Sequence, residues 1–141
     1  MQTLKTIIED VKDIITNNSI NIQSVEYTGE IDVNMTKDKD FPKVYMIADE
    51  SGELGDNNNT VIVKYLFVDV QKGLNNEWQR DYEIKSDMQL EASMMVDRLQ
   101  SLGYSINFPV TFDMLSGVFN DGLAGVQFSV TFNLDKPCYA I

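Results

Sequence analysis

The sequence predicts an α+β fold: an antiparallel or mixed β-sheet with an N-terminal helix and a second helix, at about residues 87–101, packed on one face. Three observations predict it. Tyr104–Asp113 and Val126–Asp135 alternate apolar and polar residues, the period of a strand with one wet face. Met88, Ala92, Met95, Leu99 and Leu102 recur at spacings of three and four, which is one helical stripe. Thr60–Val70 is almost continuously β-branched or aromatic, as a strand buried on both faces requires. The order helix, strands, helix, two strands reads as one domain over residues 1–141, without a repeat or a linker.

Leu4, Ile7, Ile8, Val11, Ile14 and Ile15 line one side of a helix whose other side carries Glu9, Asp10, Lys12 and Asp13, and Asn17-Asn18 ends it. This is the pattern of a helix laid across a sheet, and its polar side lacks the basic residues of a membrane-surface helix. Asn21–Tyr27 reads as a short strand. Gly29–Asp40 reads as a polar loop or a weak strand around Ile31, Val33 and Met35. Phe41–Ala48 is a stronger strand, with Val44, Met46 and Ala48 on one side and Tyr45 and Ile47 on the other.

Asp49–Asn59 reads as a solvated loop. Its oxygen-rich side chains invite a calcium reading. The spacing fails it, because an EF-hand loop begun at Asp49 would place Leu54 at the required glycine and Thr60 at the closing glutamate. Thr60–Val70 is expected to be the central strand. Lys72–Asn76 is a turn signal joining it to a strand in which Trp78, Arg80, Tyr82 and Ile84 alternate with Gln79, Asp81, Glu83 and Lys85. Trp78 and Tyr82 would then be cross-strand partners of the central strand.

Ser86 and Gln89 have the spacing of a capping box, Asp87 suits the positive end of a helix dipole, and Leu90 and Met94 lie beside the apolar stripe. Gly103 stands where a left-handed C-terminal residue is wanted. In the strand that follows, Pro109 cannot donate to a ladder, which implies an edge or a bulge there. Met114–Ala124 is longer than a tight hairpin needs and carries Met114, Leu115, Val118, Phe119 and Leu123. An apolar connection of this kind is expected to pack on something, and with Pro109 these residues are the candidate subunit contacts.

Acidic residues outnumber basic ones, 22 against 11, for a formal charge of −11. That excludes phosphate-backbone binding as a main task, which needs clustered Lys and Arg. No apolar run reaches the length of a membrane-spanning helix, and no secretory leader is expected. Cys138 is the sole cysteine, so no disulfide forms within the chain, which suits an intracellular site of synthesis. The sequence contains no histidine, which removes Ser-His-Asp and Cys-His catalysis and every His-containing zinc site. No Walker A loop or dinucleotide fingerprint is present. The expectation is a protein without catalytic, cofactor or metal residues.

The layout resembles the tail-terminator and tail-completion proteins of tailed bacteriophages. The resemblance rests on three places: the N-terminal helix, the hairpin Val61–Val70/Trp78–Ile84 running into a helix that ends in Leu102-Gly103-Tyr104, and the closing segment Asn120–Val130. It implies a structural virion protein, made in the host cytoplasm, that assembles as a six- or twelve-fold homo-oligomeric ring at the neck. Such a ring would contact portal, connector or tail proteins and leave a lumen through which DNA passes without specific binding. The contrasting expectation is a cellular binding module for a small ligand or protein partner, with a pocket lined by Trp78, Tyr82 and the Met-rich helix.

Overall fold

The computed structural model describes residues 2–29, 41–70, 77–118 and 122–135, and of residues 77–80 and 118 the backbone alone. The elements are α1 (Leu4–Asn18), β1 (Ser24–Thr28), β2 (Lys43–Leu54), β3 (Asn58–Val70), α2 (Glu77–Ser101), β4 (Ser105–Ile106), β5 (Phe112–Val118) and β6 (Leu123–Asp135). One mixed sheet runs β1-β2-β3-β6-β4, with β5 also paired to β6. The β1–β2 pair is parallel and the other pairings are antiparallel. The α+β expectation holds, and β3 is the central strand, flanked by β2 and β6.

Strand periodicity decides which face receives the helices. Val44 and Met46 of β2, Val63, Tyr65 and Phe67 of β3, and alternate residues of β6 from Ala124 to Leu134 share one face. Ile7, Val11, Ile14 and Ile15 of α1 and Ile84, Met88, Met95 and Leu99 of α2 close over it. Phe128 stands between Tyr65 and Phe67, with ring centroids 5.4 and 5.6 Å away. The opposite face carries a smaller cluster of Tyr45, Ile47, Leu66, Val68 and Leu123. On that face Lys43 is buried; its Nζ lies 2.8 Å from Glu26 and 5.0 Å from the centre of the Tyr45 ring. An ion pair and an aromatic face together offset the desolvation of a buried ammonium.

Local chemistry sets the helix ends. Thr3 caps α1 reciprocally: the Thr6 N–H donates to Thr3 Oγ1 and the Thr3 N–H donates to Thr6 Oγ1. At the far end of α2, Gly103 has φ +93°, its N–H donates to the Gln100 carbonyl, and the Tyr104 N–H donates to the Leu99 carbonyl. This pair of bonds is a Schellman motif, which a left-handed residue must terminate. Gly103→Ala is expected to destabilise the fold by about 1 kcal/mol, read as a lower urea midpoint at unchanged slope. Nothing would obstruct the added methyl, so backbone strain alone sets that loss.

Tyr104, turned inward by this cap, donates to Asp10 Oδ2 at 2.6 Å and packs edge-on against Phe132. Burial, reinforced by the bond to Asp10, pushes its pKa up to about 12. Burial drives the Tyr65 phenol upward as well. A raised tyrosine pKa means that the unfolded chain gives up its proton first as pH rises. The contribution is therefore complete below the ordinary value of 10 and is lost as pH climbs from 10 towards 12. Each such tyrosine lowers stability by up to about 1.4 kcal/mol per pH unit in that window. Urea titrations from pH 8 upward should show a shallower alkaline decline in Tyr104→Phe than in the parent.

Several expectations are corrected. Residues 77–85 are helical, so the Trp78–Lys85 strand and its hairpin with β3 do not form, and Ser86 lies inside α2 rather than at its start. The physical reason lies in the same residues. Asp81 and Ile84 continue the Met88 stripe backwards at spacings of three and four, and both are buried. Asp81 Oδ2 also meets Lys85 Nζ at 2.6 Å, a helical i,i+4 pair. Leu90 and Leu102 face solvent instead of joining the stripe.

Asp49–Asn59 is a hairpin arm, not a loop: β2 runs to Leu54, β3 begins at Asn58, and Glu53 pairs with Thr60. Its pairing shifts at the base, where four steps along β2 from Ile47 to Ser51 match two along β3 from Lys64 to Ile62. The first strand begins at Ser24 rather than Asn21. The Tyr104–Asp113 strand is broken around Pro109, as a proline in a ladder implies, and the described residues at both ends of the expected connection are strand, in β5 up to Val118 and in β6 from Leu123. The readings for residues 30–40 and 71–76, and those for Phe119 and Cys138, lie outside the described residues.

Candidate functional site

The β6 strand has β3 on one side, and on the other it is shared by two short strands in succession. Ile106 of β4 opposes Phe132, and Phe112 of β5 opposes Phe128. Six steps along the outer chain thus match four along β6, so two surplus residues must arch out of the ladder. The arch starts from a polar anchor: the Asn107 N–H donates to the Thr131 carbonyl, and Asn133 Nδ2 donates to Asn107 Oδ1. Pro109, with no N–H to place, sits within the arch, and the Phe108–Pro109 bond is cis.

Between the arch and α2 lies a groove of about 370 Å³. Ala92 and Val96 form one wall, Phe108, Pro109, Val110 and Phe112 the other, and Val126 and Phe128 the floor. Gln89, Ser93 and Asp97 add polar atoms along α2. Phe112 and Met114 pair with Phe128 and Val126, which puts both on the helix-bearing face. They lie at the margin of that face. Phe108 is 54% exposed, Phe112 45% and Met114 48%, an unusual grouping of large apolar side chains at one sheet edge. Among the described residues, β5 pairs with β6 alone. An edge of this kind can bury apolar surface and extend a backbone ladder.

The candidate contact residues divide accordingly. Pro109 and Met114 stand exposed on this edge. Leu115 turns to the opposite face and packs, partly buried, on the cluster there. Leu123 is fully buried in that same cluster, inside the fold. Val118 belongs to the β5 backbone, its side chain is not described, and Phe119 lies outside the described residues. Sequence reasoning missed Phe108 and Phe112, which alternation assigned to a strand interior. The available signal was Pro109, since a broken ladder exposes its neighbours.

The pocket expected between Tyr82, Trp78 and the methionines is not built that way. Met88 and Met95 are core residues, Tyr82 faces solvent, and the Trp78 side chain is not described. On the hairpin arm, Asp49, Glu53 and Asp56 are exposed, and the Tyr27 hydroxyl hydrogen-bonds with the half-buried Glu50, which raises the tyrosine pKa. Among the described residues, no three acidic or thiol side chains group closely enough to hold a metal ion. No protein-family model matches the chain, and no curated protein matches it.

Proposed function

We propose that this chain is a structural subunit of the neck or tail of a tailed bacteriophage. On this reading it forms a homo-oligomeric ring of the tail-terminator or head–tail connector kind. The ring joins portal or connector to tail, leaves a channel for DNA, and performs no catalysis. The observation that carries the reading is the β4–β5 edge, where Phe108, Phe112 and Met114 stand exposed beside an apolar groove. Head-to-tail contacts that cyclise need a surface of this kind on each copy. The N-terminal helix and the closing strand agree with the layout that suggested the family, whereas the hairpin before α2 does not. A formal charge of −11 suits a channel wall that repels phosphates and lets DNA slide.

The second reading, a cellular binding module, is favoured by the groove itself. Its volume and few polar groups fall in the range of small-ligand sites. Light scattering on the purified chain separates the two, with a closed ring expected on the first reading and a monomer or dimer on the second. If assembly awaits other neck proteins, electron microscopy of the native particle takes its place. Phe112→Asp combined with Met114→Asp is expected to abolish assembly while leaving the circular dichroism spectrum unchanged. A chain that stays monomeric and is absent from the necks and tails of native particles would overturn the proposal.

A further inference from the structure

We draw no further inference here: the strongest candidate outside the proposed contact edge, the cavity between the N-terminus of α1, the β2–β3 hairpin arm and the end of β6, is an acidic cluster of Glu50, Glu53 and Asp135 whose Glu50 and Asn59 stay partly open to solvent, and no second feature points to a ligand.

Discussion

Gly125→Ala is expected to cause a severe loss of stability. Gly125 lies in β6 opposite Val68 of the central strand, with Leu115 of β5 on its other side. Its φ is +152°, a region that side-chain-bearing residues rarely enter. A Cβ at this position would stand 1.9 Å from the Phe67 carbonyl oxygen and 2.9 Å from the Val68 Cα. Both obstructing atoms are backbone, and β3 cannot retreat because β2 holds its other side. Backbone strain and overpacking together are expected to cost about 4 kcal/mol or more. That is a large part of the stability of an ordinary domain. Thermal and urea unfolding check it, and an alanine variant with the parent's midpoint would show that the two strands can separate locally at little penalty.

Glu91→Ala is expected to lower stability by about 2–3 kcal/mol through a loop distant in sequence. Glu91 sits midway along α2 and is buried, unusual for a carboxylate. Its Oε1 accepts the backbone N–H groups of Ile20 and Asn21, each at 3.1 Å. These two donors belong to the turn between α1 and β1, where Ser19 Oγ also accepts the Ile22 N–H. Alanine removes the acceptor from both donors and leaves a void beneath the turn. Glu91→Gln keeps a carbonyl oxygen able to take either bond, so its loss should be smaller, about 1 kcal/mol. Hydrogen exchange supplies the specific readout: the Ile20 and Asn21 amides should lose protection in Glu91→Ala beyond any global change. Unchanged protection at both would show that the carboxylate does not hold the turn.

Legibility in the sequence followed the range of the interaction. The α1 stripe, the apolar run of β3, the alternation of β6 and the Gly103 cap depend on neighbours a few residues apart, and all appear where the sequence predicts them. The start of α2 did not, because Trp78–Lys85 satisfies a period of two while Asp81, Ile84 and Met88 also satisfy a helical one. Continuity with the downstream stripe was the better guide. The hairpin arm was missed because a solvent-facing ladder needs no apolar alternation; its order comes from cross-strand bonds. Glu91 carries no local mark at all, since its partners lie some seventy residues earlier. The β4–β5 edge is half legible: Pro109 marks the break in the ladder, but the offset between β4 and β5 belongs to pairing and cannot be read from one strand alone.

The two surplus residues near Pro109 have an evolutionary corollary. Lengthening or shortening a span that bridges two anchored segments leaves the ladders at either end in register, so this margin tolerates a change of length better than the strands it joins. Related chains could then share an interior yet differ in the outline of this rim.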